Sequence, residues 1–292
     1  MQTQAPTEST YSIHPGTMIG LVTLNVADLA RSVQFYEDVL GFRVIEQTQE
    51  AASLGAQSGP ALLNLNVRPG ATPKPARATG LYHFAILVPD RVALGYSLQR
   101  LADTRYPLAG ASDHLVSEAL YLSDPDGNGI EIYRDRPRES WPRAGDQVVM
   151  ASDPLDLQSI LAEARHDAGT WSGLPADTRI GHIHLQVADL AEAQWFYHRV
   201  VGFDIMAAMP GALFLSAGGY HHHLGLNTWQ SRGASPAPAG SAGLHSFAVT
   251  VPDHEELERV AARLEAAAVP VGRIQRTIVF SDPWHNRVVL AV

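Results

Sequence analysis

The chain has 292 residues, 46% of them hydrophobic, with no apolar run of membrane length, and is read as a globular protein large enough for two domains. Cysteine is absent, which excludes disulfides, iron–sulfur clusters, thiolate zinc sites and cysteine nucleophiles, so any metal must be bound through nitrogen and oxygen. A net charge of -9 argues against a nucleic-acid partner, and there is no Walker A or dinucleotide glycine fingerprint.

The N-terminal stretch MQTQAPTESTYSIHPGT shows neither the basic segment nor the apolar core of a secretory signal, which favours the cytoplasm. Gly20 to Phe42 then reads as an alternating strand and a helix, with Asp28 as N-cap, an apolar face of Leu29, Val33, Phe35 and Tyr36, and Gly41 as terminator. Leu81 to Asp90, LYHFAILVPD, predicts a second strand leading into an amphipathic helix. In Ser112 to Tyr133, the turn formers Asp124 to Gly129 join two antiparallel strands. Glu131 sits on the second of these, between Ile130 and Ile132. By base rates such a residue faces solvent; otherwise it is a buried charge held by a partner, of which a metal ion is one.

Residues 137–177 predict a polar connection with one short helical stretch near Leu155 to Ala164. After it the pattern repeats. Gly181 to Phe203, GHIHLQVADLAEAQWFYHRVVGF, matches Gly20 to Phe42; Leu244 to Asp253 matches Leu81 to Asp90; and SDPWHNRVVLAV matches SDPDGNGIEIY. The chain is therefore expected to form two tandem domains, 16–136 and 178–292, each of two strand–helix–strand modules.

These paired segments resemble the vicinal oxygen chelate superfamily, which includes glyoxalase I, bleomycin-resistance proteins and extradiol dioxygenases. The stretches DHLVSEALYLSDPDGNGIEIY and SAGGYHHHLGLNTW look most like its catechol-2,3-dioxygenase type. The resemblance implies an α+β fold: four βαβββ modules whose sheets curl in pairs into two cups, with helices outside. It also implies ligand positions at the start of a module's first strand and on a partner module's last strand. Those positions are His182 in the third module, Leu21 in the first, His83 in the second and Ser246 in the fourth, where His245 is one place off. The carboxylate position is Glu131 in the second module and Val289 in the fourth. Neither half of the chain keeps a full set. Pairing the second module with the third gives His83, Glu131 and His182, a 2-His-1-carboxylate set suited to Fe(II), with Mn(II) as the other candidate. A lone histidine on a half-apolar strand is usually structural, but here all three positions are kept in one module pair and lost in the other.

The resemblance further implies that a catechol and O₂ meet at the metal, while a base removes a phenolic proton and an acid assists O–O cleavage, steps that suit histidine. His222 fits the family spacing best within the run His221-His222-His223, whose other members stay open. His184, His114 and Tyr121 complete the candidates, Tyr121 being equally readable as a core aromatic. The strands around the set carry almost no Arg or Lys, Arg134 being the nearest in sequence, so a neutral catechol is the expected substrate. The alternatives are a glyoxalase-type lyase or isomerase, which would want another carboxylate on the last strand of the third module, and a non-catalytic small-molecule binder. No membrane partner is expected. The sequence does not fix the oligomeric state, a homo-oligomer being one option.

Overall fold

The structure, a computed structural model, describes residues 11–167 and 169–292. Most of the N-terminal stretch read above for a secretory signal lies outside the described residues. The first module comprises β1 (Met18–Val26), α1 (Leu29–Asp38), β2 (Arg43–Gln47), β3 (Ala51–Gly55) and β4 (Ala61–Val67). The second comprises β5 (Gly80–Leu87), α2 (Arg91–Asp103), β6 (Gly110–Asp113), β7 (Ser117–Ser123) and β8 (Gly129–Asp135). The connection carries β9 (Arg143–Ala144), β10 (Gln147–Val148), β11 (Asp153–Pro154) and α3 (Leu157–His166). The third module comprises β12 (Arg179–Gln186), α4 (Leu190–Gln194), β13 (Asp204–Met209), β14 (Ala212–Ser216) and β15 (Leu224–Asn227). The fourth comprises β16 (Gly243–Thr250), α5 (His254–Ala266), β17 (Gly272–Ile274), β18 (Thr277–Ser281) and β19 (Arg287–Ala291). All four follow the βαβββ pattern, and the fold is α+β with two large mixed sheets.

The repeats use the same local chemistry. Asp28, Asp90, Asp189 and Asp253 each cap a module helix by accepting the N–H three residues on, at 2.8–3.0 Å. At the matching turns, Asp124 Oδ1 accepts the N–H groups of Asp126 and Asn128, and Asp282 Oδ1 those of Trp284 and Asn286. The Tyr36 and Tyr197 hydroxyls donate to the other oxygens of these aspartates, binding the module helix of one repeat to the turn of the next. One local expectation changes: after Gln194 the predicted α-helix widens into a π-helical turn, Trp195–Val201, before Gly202 ends it at φ 107°.

The sheets join modules across the two halves of the sequence. One runs β17-β18-β19-β16-β1-β4-β3-β2, uniting the fourth and first modules; the other runs β11-β6-β7-β8-β5-β12-β15-β14-β13, uniting the second and third. Their seams are the antiparallel pairs β1–β16 and β5–β12. At the first seam, Leu21, Ser246 and Val289 offer no metal donor set. The connection packs tightly instead of simply spanning the halves. Its β11 extends the second sheet against β6, and α3 lies so close to α2 that a Cβ on Gly95 would come 2.6 Å from Ile160 O. Glycine inside a helix costs about 1 kcal/mol, which the close approach of the two helices explains here.

Candidate metal and substrate site

Strand register builds the site at the second seam. Ala85 on β5 lies opposite Glu131 on β8 and opposite His182 on β12, while His83, two residues earlier on β5, points to the same face. Ala85 is fully buried, and its methyl is small enough to leave room for three longer side chains to close above it. Glu131 Oε2 lies 3.0 Å from His83 Nε2 and 3.0 Å from His182 Nε2, and the two Nε2 atoms are 3.4 Å apart. All three residues are buried. Donors each about 2 Å from one metal on a face of an octahedron lie roughly 3 Å from one another, so the set fits a divalent ion and leaves positions open. Burial, outweighing the adjacent Glu131 charge, lowers His182 to about 4, so its imidazole is neutral at neutral pH as a ligand must be. Burial opposes ionisation of Glu131, but contact with His182 and His83 holds it well below the usual carboxylate range.

Backbone positions make this closure possible. Gly129 pairs with His83, and a Cβ there would fall 2.0 Å from Tyr82 O. Gly225 lies beneath the His184 ring, where a Cβ would be 2.8 Å from its Cγ. His184 faces His83 across the seam, its ring 4.9 Å away, and its Nε2 accepts from Asn227 Nδ2 at 3.0 Å. Burial first, then the neighbouring histidines, push its pKa well down.

The cluster borders a cavity of about 630 Å³ whose lining includes His83, Glu131, His184, His222, His114 and Tyr121. His114 and Tyr121 form a pair. The His114 Nδ1–H donates to Ala151 O at 2.6 Å, which leaves Nε2 as the acceptor for the Tyr121 hydroxyl, also at 2.6 Å. Burial and the Glu131 charge raise Tyr121 well above the normal phenol range, so it stays protonated.

The three consecutive histidines diverge. His222 packs against His182 with ring centroids 4.1 Å apart and planes tilted by 45°, and it faces the cavity; burial and then the nearby histidines lower its pKa well below normal. His221 is fully buried between His222 and Asp135. His223 lines a second, smaller pocket with Arg138 and Arg179, and its Nδ1 accepts from the Ala217 N–H.

Sequence reasoning missed several wall residues. Met150, Ala151 and Ser152 come from the connection, Phe214 from β14, and Tyr82 and Trp229 stand at the cavity with 39% and 50% exposure. Tyr82 was legible as the neighbour of His83, but nothing in the composition of 137–177 signals a wall. Lys74, from the loop before β5, also reaches the lining, where its ammonium donates to Ala78 O and to Gln186 Oε1. The site is thus less free of cations than its strands suggest.

Comparison with known proteins agrees with this architecture. The model of the Glyoxalase/Bleomycin resistance protein/Dioxygenase superfamily matches residues 18–132 and 179–290. A Bacillus subtilis (strain 168) protein named Catechol-2,3-dioxygenase is 48% identical over 276 residues, covering 93% of this chain and 96% of its own. Among solved structures, one from Bacillus subtilis subsp. subtilis str. 168 aligns with TM-score 0.63 at 15% identity, over 97% of this chain and 86% of that one. Glyoxalase I from Zea mays aligns with TM-score 0.56 at 18% identity, over 94% and 92%. These structures share the fold. The chain belongs to the Glyoxalase/Bleomycin resistance protein/Dioxygenase superfamily.

Proposed function

We propose that this protein is a metal-dependent extradiol dioxygenase that opens the ring of catechol or a similar dihydroxy-aromatic compound, with Fe(II) as the metal and Mn(II) as the second fit. The observation that carries the reading is the His83–Glu131–His182 cluster, of which His83 and Glu131 line a cavity that also presents His222, His184, His114 and Tyr121. The 48% identical relative named for that activity supports it.

Held by His83, Glu131 and His182, the metal would supply Lewis acidity and a path by which electrons of the diol reach O₂. The protein's own residues do the rest. His222, neutral because burial disfavours its cation, accepts a phenolic proton and later returns it to the oxygen released on O–O cleavage. Tyr121 and His114 form a fixed hydrogen-bonding wall, and Tyr82, Phe214 and Trp229 provide aromatic surface for a ring. His184, held by Asn227, borders the space between that surface and His83. His221 is buried behind His222, and His223 faces the other pocket, so the acid–base role falls to His222.

The glyoxalase reading would need a further carboxylate on the last strand of the third module, and β15 offers Leu224, Gly225, Leu226 and Asn227. A neutral catechol remains the preferred substrate, because the Lys74 ammonium already donates to Ala78 O and Gln186. Among the described residues no helix is long and apolar enough to cross a membrane, and the cytoplasm is the proposed compartment. The test is metal analysis of anaerobically purified protein followed by oxygen-dependent conversion of catechol to a yellow ring-opened product. One metal per chain with such a product supports the proposal. Metal-free protein that stays inert after Fe(II) and Mn(II) reconstitution refutes it, as does a higher kcat/KM for protocatechuate than for catechol for the substrate preference.

A further inference from the structure

Behind His222 lies a hydrogen-bonded chain that the reaction described above does not use. Asp135, the last residue of β8, lies four residues after Glu131, and its side chain is 23% exposed. Its Oδ1 lies 2.9 Å from His221 Nε2, and its oxygens lie 3.0 and 3.2 Å from the Tyr220 hydroxyl. The Tyr220 hydroxyl in turn lies 2.6 Å from that of Tyr133. His221 Nδ1 lies 2.8 Å from His222 Nδ1.

The donor and acceptor roles follow from the chemistry. A carboxylate has only lone pairs, so His221 Nε2 must carry the hydrogen in its contact with Asp135, and Tyr220 must donate as well. With Tyr220 donating to Asp135, Tyr133 donates to Tyr220, and the two tyrosines orient the carboxylate from behind. A neutral His221 protonated on Nε2 has a bare Nδ1, so the hydrogen in the 2.8 Å contact belongs to His222 Nδ1. A neutral His222 protonated on Nδ1 presents a bare Nε2, for which no partner is found among the described residues, while its ring lines the cavity.

We propose that Asp135 is a positioning residue that acts through His221 to hold His222 as the Nδ1–H tautomer, with its Nε2 lone pair available to a substrate proton. The inference rests on the reading of His222 as the proton acceptor. It resembles the way a buried aspartate sets the tautomer of a catalytic histidine in hydrolases, where loss of the carboxylate leaves the geometry intact and lowers turnover by about 10⁴. In Asp135→Asn the amide N–H₂ can donate to His221 Nε2. The hydrogen of His221 then moves to Nδ1, His222 Nδ1 becomes the acceptor, and His222 Nε2 carries a hydrogen where a base is needed.

The experiment has two arms. Nitrogen-15 NMR of the histidine side chains in metal-free protein, with His222 assigned by substitution, reads the tautomer without any need for activity. The expected result is the Nδ1–H form in the wild type and the Nε2–H form in Asp135→Asn. In the metal-loaded enzymes, Asp135→Asn should lower kcat for catechol by on the order of 10²–10⁴ with KM and metal content close to wild type, and Asp135→Glu should recover part of the loss. An Nε2–H tautomer in the wild type overturns the proposal, even if no variant folds. Unchanged tautomer and kcat within a few-fold in Asp135→Asn also overturn it. If the wild type cleaves no catechol, the functional reading fails, while the NMR arm still decides whether Asp135 sets the tautomer.

Discussion

Replacing Glu131 with glutamine tests the donor set without changing its shape. In the metal-free protein the buried carboxylate is held ionised by its contacts with His182 and His83, so at neutral pH the charged form contributes to the stability of the fold. Replacing it with a neutral amide weakens two charge-assisted hydrogen bonds, so metal-free Glu131→Gln should be less stable than the metal-free wild type by about 1–3 kcal/mol. The metal widens the difference. A ligand that binds only the folded state at a hundred times its dissociation constant adds about 2.7 kcal/mol. For a chain of 292 residues, at about 2.1 cal/mol/K of unfolding entropy per residue, that is roughly 4 °C in Tm. Glu131→Gln removes the one anionic donor from a set of three and should lose most of that shift. The assay is thermal unfolding followed by circular dichroism, with and without Mn(II) or anaerobic Fe(II). A variant that keeps the full metal-dependent shift would refute the reasoning, because Glu131 would then be only a structural partner of the two histidines.

Three further outcomes are expected. His222→Ala should keep its metal and bind catechol, yet lose on the order of 10²–10⁴ in turnover, measured by oxygen uptake; loss of metal would make His222 a ligand. Gly225→Ala places a Cβ 2.8 Å from His184 Cγ and should cost about 1–3 kcal/mol in urea unfolding while raising KM, whereas wild-type values for both would show that the ring moves aside freely. The metal-free protein should also be acid-sensitive. His182 and His223 are lowered to about 4 and about 3 when folded, against about 6.5 unfolded. Depressed folded values mean that the stabilisation is complete above pH 6.5 and is lost as pH falls towards the folded values, at about 2–3 kcal/mol for each group by pH 4.5. Urea midpoints that do not change between pH 7 and 4.5 would contradict this.

The sheet pairing was legible because ligand-type residues survive selectively. Histidine and glutamate occur at matching positions only in the second and third modules, and Leu21, Ser246 and Val289 fill those positions in the others. That pattern implies a shared sheet before any strand register is known, and the β5–β12 seam provides it. Asp N-caps and the SDP turns were readable for a local reason: each works through side-chain to backbone bonds only two to four residues away. What the sequence hid depends on long-range contacts. Ala85 looks like any small core residue until register places it between Glu131 and His182. The three adjacent histidines look alike in one dimension, and only the turn from β14 into β15 sends them in separate directions. Lys74 and Met150 come from loops whose composition does not record what they fold against.

One divalent metal is proposed to sit between His83, Glu131 and His182. The most direct measurement is anomalous diffraction at the iron edge from crystals of protein reconstituted anaerobically with Fe(II). A single peak at about 2.0–2.2 Å from His83 Nε2, His182 Nε2 and a Glu131 carboxylate oxygen is the result expected. A peak at the His221–His223 run, or iron bound with Glu131 outside its coordination sphere, would contradict the assignment.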